Sequence, residues 1–394
     1  MNKSILNTGV QDFINKNINT DTSSVLLKGV PFEKVSAKEI VAQIEAKKKC
    51  KKKLPNWYHA ADIYFPSKLS IEQSSSEITA SYKASLISGE SLLDLTGGFG
   101  VDSYFFSNSF KQVIHCEIDQ NLSEIVRHNF QVLNKKNIAI KNTDGLDFLT
   151  KNASHFDWVF IDPSRRNTAK EKVFMLKDCL PDVPRHLDLL FQHTDQILIK
   201  TSPVLDISIG IKELKSIAEI HIVAVNNEVK ELLWVLKKEW NIPLKIKTIN
   251  IKKEENELFK FIYGREKNIT ANYSSPLNYL YEPNAAILKS GAFQLLAKEL
   301  NVFKLHKHSH LYTSKNLITF PGRSFKIENV QSYNKKKLKS QLAKTRGNIA
   351  IRNFPESVKT LRQLLKIEDG GDSYYFFTTD MNNQKILISC KKAS

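Results

Sequence analysis

A short apolar stretch that runs into a glycine-rich turn constrains this 394-residue chain more than any other feature. Residues 92–95 read as a buried strand, Gly97, Gly98 and Gly100 follow, and the next residues can form a helix. Glycine lets a turn adopt left-handed conformations and lets a ligand approach the main chain. The helix after such a turn presents unpaired N–H groups and the positive end of its dipole. This order of elements is typical of the first ligand-binding unit of a doubly wound α/β domain.

Four further apolar stretches each end in polar or glycine residues. They lie at residues 112–119, 137–145, 156–163 and 195–203. Glu117 comes about 20 residues after the turn, where a carboxylate can accept hydrogen bonds from ribose hydroxyls. Asp144 and Gly145 end the next stretch, and Asp162 and Pro163 end the one after it. Because open parallel sheets bind ligands at the carboxyl ends of their strands, we expect these residues to meet.

A dinucleotide site is a competing interpretation of the glycine turn. Its fingerprint, Gly-x-Gly-x-x-Gly, needs a glycine three residues after the second one. Ser103 stands there after Gly100, and Val101 stands there after Gly98. The dinucleotide fingerprint is therefore absent.

Three of the acidic residues also have plain structural interpretations. Asp94 could cap the turn without touching a ligand, and Glu117 could be an exposed charge at a strand end. Asp144 followed by Gly145 is also an ordinary turn pair. The functional interpretation depends on the whole ordered set of residues.

The ordered set resembles the class I S-adenosylmethionine (SAM)-dependent methyltransferases over roughly residues 70–240. Asp94 matches the acidic residue of their first motif, and Gly98 and Gly100 match its second and third glycines. Thr96 stands where that motif has its first glycine, which is a departure.

This resemblance implies SAM as the cofactor. It assigns these residues to the cofactor site: Asp94, Thr96, Gly97, Gly98, Gly100, Glu117, Asp144, Gly145 and Gln73. The turn at 94–100 would wrap the methionine part of SAM, Glu117 would bind the ribose hydroxyls, and Asp144 the adenine amine. Asp162 would face the methyl group.

The segment before the first strand often closes over SAM in methyltransferases of this class. Gln73, Ser75 and Lys83 are candidates for that contact. A capped helix on the surface is the equally weighted alternative.

Asp162-Pro163-Ser164-Arg165-Arg166 is similar to a motif of bacterial class I methyltransferases that carry a THUMP-like domain. The resemblance implies Asp162, Arg165 and Arg166 as catalytic residues. Amino-directed methyltransferases place an aromatic ring at this strand end, and this chain lacks one, so the motif does not favour an exocyclic amine. The two arginines could clamp a phosphate or stack on a base, or they could pair with carboxylates. Cys179 lies 17 residues after Asp162, which gives weak support to a covalent mechanism.

The chain from Phe320 onward predicts a small α/β unit of its own. Strands are expected at 323–330, 347–353, 374–379 and 385–390, with helices at 335–344 and 356–367. The pieces Phe320-Pro-Gly-Arg-Ser-Phe and Arg352-Asn-Phe resemble the THUMP-like domain of the same bacterial methyltransferases. True THUMP domains bind tRNA, so the resemblance implies RNA binding.

The predicted fold is α/β, with a Rossmann-like seven-stranded methyltransferase sheet, a helical N-terminal region and a small α/β C-terminal domain. The expected domains are the helical region 1–70, the methyltransferase domain 71–270, a small ferredoxin-like linking subdomain 271–319 and the THUMP-like domain 320–394. Strands at 217–225, 244–251 and 258–263 are expected to complete the sheet, with the last pair antiparallel. Residues 226–231 face the site or make a turn, and residues 281–300 contain an amphipathic helix.

A polyanionic partner fits the charge of the chain. Its 58 Lys and Arg against 41 Asp and Glu give a formal net charge of +17. Residues 315–346 contain nine of these cations against Glu328 alone, and lysines also cluster at 47–53. RNA is the partner we expect, although drift toward lysine-rich codons would also produce a basic surface.

Other features exclude some classes of protein. Four widely spaced cysteines suggest neither a zinc site nor a disulfide framework and fit a reducing cytosol. There is no apolar run long enough for a membrane span and no signal core, so a cytoplasmic location is expected. His306, His308 and His310 would share one face of a strand, but no carboxylate or cysteine accompanies them, and no metal site is assigned.

The sequence therefore predicts a SAM-dependent methyltransferase that acts on RNA, either tRNA or rRNA. Two alternatives remain open. One is a methyltransferase of a small molecule or a protein. The other is a non-catalytic RNA-binding protein that keeps a SAM-type pocket.

Overall fold

The computed structural model describes residues 1–165 and 175–393. The helices of these residues are α1 (Thr8–Lys16), α2 (Thr22–Lys28), α3 (Ala37–Lys53), α4 (Pro55–His59), α5 (Lys68–Gln73), α6 (Glu77–Leu86), α7 (Val101–Phe106), α8 (Gln120–Val132), α9 (Gly145–Thr150), α10 (Val183–His193), α11 (Ile207–Glu213), α12 (Ala285–Ser290), α13 (Phe293–Glu299), α14 (Lys335–Leu342) and α15 (Val358–Leu365). The strands are β1 (Gly89–Asp94), β2 (Phe110–Cys116), β3 (Ile138–Lys141), β4 (Trp158–Ile161), β5 (Ser164–Arg165), β6 (Cys179–Leu180), β7 (Gln196–Thr201), β8 (Ile217–Val225), β9 (Glu228–Lys237), β10 (Lys245–Ile251), β11 (Glu257–Ile262), β12 (Tyr279–Pro283), β13 (Phe303–Lys304), β14 (Tyr312–Ser314), β15 (Gly322–Ser332), β16 (Asn348–Arg352), β17 (Ser373–Thr379) and β18 (Lys385–Lys392).

The chain divides into two compact units. The first comprises Met1–Glu219 and Lys230–Ile242, and the second comprises Ile220–Val229 and Pro243–Ser394.

The first unit contains a sheet with the strand order β3-β2-β1-β4-β7-β9. Strands β1, β2, β3, β4 and β7 run parallel, and β9 is antiparallel to β7. The parallel order brings the carboxyl ends of β1 to β4 to one edge, as the sequence predicts. The α/β class with a methyltransferase-like parallel sheet is thus confirmed.

Strand β9 is the element of this sheet that the sequence interpretation missed, because it treated 226–231 as a turn or part of the site. The turn itself is only Asn226 and Asn227, both with positive φ. The chain then enters a strand whose residues from Glu231 to Leu236 are all buried. A strand buried on both faces shows no polar alternation, so its sequence lacks the usual signal.

The N-terminal helices pack directly against the glycine turn. Ser36 and Glu39 form a capping box at the start of α3, and Pro55 begins α4. Trp57 of α4 is fully buried, with its ring centroid 4.7 Å from that of Tyr104 and 6.1 Å from that of Phe99. The helical region therefore shares a hydrophobic core with the α/β part of the first unit.

The second unit contains β8, β10 and β11 in the order β11-β10-β8, and β10 is antiparallel to β11 as expected. It also contains a seven-stranded sheet with the order β13-β14-β12-β15-β18-β17-β16. Helices α14 and α15 pack on one face of that sheet against Tyr375, Phe377 and Leu387. The opposite face carries Leu280, Phe325 and neighbouring apolar residues. The predicted elements between 323 and 390 all form, with small shifts at their ends.

Two expectations for the second unit need correction. Residues 281–300 form the end of β12 and two short helices, because the chain turns at Gly291, whose φ is +75°. His306, His308 and His310 lie in the turn between β13 and β14, not on a strand.

These histidines have structural contacts. His306 is buried and hydrogen-bonded with Asn353 and Asn383. His310 stacks on Phe293 with ring centroids 3.6 Å apart.

Within residues 1–165 and 175–393, no group of three or more His, Cys, Asp or Glu residues could hold a metal ion. None of the helices in that part of the chain is long and apolar enough to cross a membrane.

Candidate active site

A cavity of about 530 Å³ lies at the carboxyl ends of the first strands of the first unit. Its wall includes the whole glycine turn from Thr96 to Gly100. Residues 70 and 73–75 at the end of α5 line another side. Four carboxylate side chains also line it, those of Asp102, Glu117, Asp144 and Asp162.

A main-chain hydrogen bond to β2 and a buried histidine together fix the shape of the glycine turn. The amide N–H of Gly97 donates to the carbonyl of Cys116 at 2.8 Å, which fixes the turn to the end of β2. A Cβ at Gly97 would lie 2.1 Å from the His115 ring, so only glycine fits there. Gly98 and Gly100 have φ of +55° and +80°, and Gly100 caps α7. These conformations open the turn toward the cavity.

Asp94 lies beneath the turn and does not line the cavity. It accepts hydrogen bonds from the Thr96 amide at 3.1 Å and from the Ser103 hydroxyl at 2.5 Å. Burial raises the pKa of Asp94 to about 7. Ser103 also contacts Nδ1 of His115 at 3.0 Å, and burial, followed by the charge of Arg127, lowers the pKa of His115 to about 3. Asp94 therefore shapes the site from behind.

Thr96 joins the glycine turn to the end of β4. Its hydroxyl accepts a hydrogen bond from the amide of Asp162 at 2.7 Å. This bond gives a physical reason for threonine where related motifs have glycine. It ties Asp162 to the turn, and the Asp162 carboxylate also pairs with Lys200 from the end of β7.

In the strand order of the sheet, Glu117 and Asp144 follow β2 and β3 on one side of β1, and Asp162 follows β4 on the other side. Glu117 accepts hydrogen bonds from the amides of Gly98 at 2.9 Å and Asp119 at 2.7 Å. Burial raises the pKa of Glu117 despite these bonds. Asp144 caps α9 by accepting from the amides of Leu146 and Asp147. Both carboxylates are held in fixed orientations at the cavity wall.

A buried ionic network supports the cavity wall. The Lys83 ammonium is fully buried and lies 2.8 Å from both carboxylate oxygens of Glu231 and 3.2 Å from Asp102. Ser75 accepts from Lys83 at 3.1 Å and donates to Asp102 at 2.7 Å. Three separate segments, α6, α7 and β9, therefore meet on Lys83.

Lys200 extends this charged layer toward Asp162. Burial lowers the pKa of Lys200, but the charges of Asp162, Asp102 and Glu231 outweigh burial and raise it overall. Lys200 is therefore a permanent cation, and its partner Asp162 is oriented by it.

The segment that precedes α6 is attached to the rest of the unit by a second lysine. Lys53 donates to the carbonyls of Ile71 at 2.7 Å and Glu72 at 2.8 Å, at the end of α5. Burial, followed by the charge of Lys200, lowers the pKa of Lys53 to about 8. This contact holds Gln73 and Ser75 beside the cavity.

Comparison with known proteins identifies the family of the chain. Residues 65–179 match the family "conserved hypothetical protein 95", residues 279–321 a ferredoxin-like domain, and residues 322–392 a THUMP domain-like family. The chain is 33% identical to the "putative methyltransferase from Porphyromonas gingivalis W83", with a TM-score of 0.90 over 100% of this chain and 99% of that one. The chain belongs to this methyltransferase family.

Two other solved structures are similar to part of this methyltransferase. A rRNA methylase from Streptococcus thermophilus is 12% identical over 42% of this chain and 99% of that one, with a TM-score of 0.30. The SAH complex of SMU.1697c from Streptococcus mutans is 14% identical over 41% of this chain and 96% of that one, with a TM-score of 0.31. No protein with a curated description matches the chain.

Most of the residues that the sequence assigned to the site lie together in the methyltransferase. The cavity is lined by Gln73, Thr96, Gly97, Gly98, Gly100, Glu117, Asp144, Gly145 and Asp162. Asp94 lies behind the wall. Arg165 is the last residue of β5 and only its main chain is described, and Arg166 lies outside the described residues.

Asp102 and Lys200 of this layer were not predicted as site residues, and Glu231 was covered only by the open alternative that residues 226–231 face the site or make a turn. Asp102 comes just after the glycine turn that follows β1, and Lys200 lies near the carboxyl end of β7. A charged residue at the carboxyl end of a predicted strand is a signal that could have identified both. Glu231 lies on β9, the strand that was missed, so the sequence interpretation could not pair it with Lys83.

Proposed function

We propose that this methyltransferase uses SAM to methylate RNA. The observation that carries the SAM part is the charge of the cavity. Four carboxylates line it, and none of its lining residues, within the part of the chain that the structure describes, is Lys, Arg or His. This is notable in a chain with a formal net charge of +17.

An acidic cavity selects against phosphates and favours a cation. Nucleotides such as NAD carry negative phosphates. These would meet the carboxylates of Glu117 and Asp144 and the ion pairs that Asp102 and Asp162 make with Lys83 and Lys200, and the described lining residues include no Lys, Arg or His to bind them. SAM carries a sulfonium and no phosphate, and it supplies a methyl group that a nucleophile can displace. The volume of about 530 Å³ lies in the usual range for small-molecule sites.

The wall residues have distinct roles in this proposal. The glycine turn follows the methionine part, and the Glu117 carboxylate, fixed by the Gly98 amide, accepts from the ribose hydroxyls. Asp144 accepts from the adenine amine beside Gly145. Asp94 binds no cofactor atom directly and acts by holding Thr96 and Ser103.

Asp162 is the proposed residue at the transferring methyl. Lys200 and the Thr96 hydroxyl hold its carboxylate and amide, respectively, so the carboxylate keeps one orientation. A fixed carboxylate can accept a hydrogen bond from the nucleophile and keep its lone pair in line with the methyl group. Arg165 and Arg166 are proposed to contact the RNA near this strand end.

The RNA part rests on charge and on the C-terminal domain. The chain carries a formal net charge of +17, and residues 322–392 match a THUMP domain-like family. A cytoplasmic location is part of the same proposal, because the four cysteines are buried free thiols that suit a reducing compartment.

Calorimetry tests the cofactor assignment directly. The purified protein should bind SAM and should not bind NAD, and Asp144→Asn should weaken SAM binding about tenfold. Equal affinity for SAM and NAD would contradict the proposal. The RNA part is tested by mass spectrometry of nucleosides from total RNA of cells with and without the gene, where one methylated nucleoside should disappear.

A further inference from the structure

We propose that Arg323 and Arg352, held together by Glu282, form a binding site for the RNA phosphate backbone on the second unit. The proposal rests on the RNA function above and names the surface that contacts the RNA. Both arginines belong to the two short pieces of sequence that resemble the THUMP-like domain.

The site is built around one buried carboxylate. Glu282 of β12 has a side chain only 4% exposed, yet both arginines contact it, one on each oxygen. Arg323 donates through Nε at 2.7 Å and also through Nη2. Arg352 reaches the other oxygen through Nη2 and donates Nη1 to its neighbouring carbonyl of Ile351 at 2.7 Å.

The two arginine side chains remain partly exposed, although that of the carboxylate they share does not. The Arg323 side chain is 43% exposed and that of Arg352 is 35% exposed. Two guanidinium charges against one carboxylate leave a net charge of +1 at a place where donors are already oriented. Arginine forks in fixed orientation match phosphate oxygens well, because less rotamer entropy is lost on binding.

Aromatic rings lie next to Arg323 on the same face of the seven-stranded sheet. Glu282 is paired in register with Arg323, and Phe325 with Lys392. Arg323 lies 5.5 Å from the centroid of the Phe325 ring, which is 4.9 Å from that of Tyr374.

Tyr374 is only partly buried, so the residue reaches the surface of the domain. Lys392 lies 5.9 Å from the centroid of that ring. Arginines, a lysine and a partly exposed aromatic residue on one face are the combination that single-stranded nucleic acids use for backbone contacts and base stacking.

The lysines of α14 lie on the other face of the sheet. Leu338 and Leu342 of this helix pack on Tyr375 and Phe377, which point away from Tyr374 and Phe376 along β17. The basic stretch 315–346 is therefore divided between two surfaces. The proposal assigns the RNA to the arginine face, and the α14 lysines serve as a matched control.

Binding of labelled bulk tRNA to the full-length protein, measured by fluorescence anisotropy at several KCl concentrations, tests the site. Arg323→Met with Arg352→Met should weaken binding about tenfold or more and lower the slope of log affinity against log salt by about 1 to 2. Lys336→Met with Lys337→Met removes the same charge from α14 and should weaken binding less than about threefold. Equal losses in the two double variants would overturn the proposal.

Glu282→Gln separates orientation from charge. It makes the protein more positive by one unit, yet it should weaken tRNA binding, because the arginines lose their anchor. Tighter binding would overturn the proposal. Arg323→Lys with Arg352→Lys keeps every charge and tests the same point if Glu282→Gln does not fold, and unchanged affinity in this variant would also overturn it.

Two further readouts separate this site from the proposed function. SAM binding by calorimetry should be unchanged in every folded variant. Wild-type protein that binds SAM but no tRNA would contradict the RNA function itself. Wild-type protein that binds tRNA while the arginine variants bind it equally well would remove only the arginine site.

Discussion

Asp94 illustrates what a single residue type can and cannot predict. The sequence identifies an acidic residue before a glycine turn. Its hydrogen-bond partners Thr96 and Ser103 lie two and nine residues further along the chain, and only the folded turn and helix bring them to the carboxylate. Their contacts place the carboxylate behind the cavity wall. The distinction between a residue that binds a ligand and one that shapes the wall depends on side-chain direction, which the sequence pattern does not contain.

Asp94 should make the stability of the protein depend on pH. Its pKa is about 7 in the folded protein, against about 3.9 for an unfolded aspartate. Between these values the folded state holds an extra proton, so the free energy of unfolding falls as pH rises from about 4 to about 7. Asp94→Asn removes this titration, and its stability relative to wild type should rise by about 2 kcal/mol between pH 5 and pH 8.

Urea unfolding at the two pH values measures this difference. Asp12→Asn, at an exposed position of α1, is the control and should change stability equally at both. If the difference in unfolding free energy between Asp94→Asn and wild type stays constant from pH 5 to pH 8, Asp94 is not the titrating group.

Gly97 should tolerate no side chain. A Cβ at this position would lie 2.1 Å from the fully buried ring of His115. Gly97→Ala should therefore cost about 2 kcal/mol or more of unfolding free energy and also weaken SAM binding. Gly9→Ala is the control, because the nearest atom would be 3.8 Å away, and thermal unfolding should find it within about 0.5 kcal/mol of wild type.

At the scale of whole elements, local patterns predict most of the fold. Capping residues locate α3 and α6, and apolar stretches with polar ends locate β1 to β4 and β7. Strand β9 was missed because its buried run has no polar alternation. The pairing between elements was also not predictable in detail, since Lys83 and Glu231 are 148 residues apart and no local rule connects them.

The ionic network on Lys83 should stabilise the joint between α6, α7 and β9. Lys83→Met leaves Glu231 and Asp102 without their buried cation, and loss of one partner of a buried pair typically costs about 3 to 5 kcal/mol. Lys111→Met breaks an exposed pair with Glu90 and should cost less than about 1 kcal/mol. Urea unfolding compares the two, and similar losses would mean that the buried network contributes no more than a surface pair.

At the scale of the whole molecule, charge is divided by location. The cavity wall is acidic, whereas the chain as a whole carries a formal net charge of +17. Composition alone predicts a polyanionic partner, but only the fold shows that the basic stretch 315–346 divides between two faces of one sheet. It also shows that Lys47 is buried and that Lys53 binds main-chain carbonyls, so the lysine cluster at 47–53 is only partly available to RNA.

This division predicts that salt affects the two ligands differently. Raising KCl from about 50 to about 200 mM should lower tRNA affinity at least tenfold, because each phosphate contact releases counterions. SAM affinity should change less than about twofold over the same range, because partly buried charges are screened much less than surface ones. Anisotropy with labelled tRNA and calorimetry with SAM, performed in the same buffers, measure the two slopes. If both affinities fell in parallel, SAM would be held by surface charge, and the acidic cavity could not be its site.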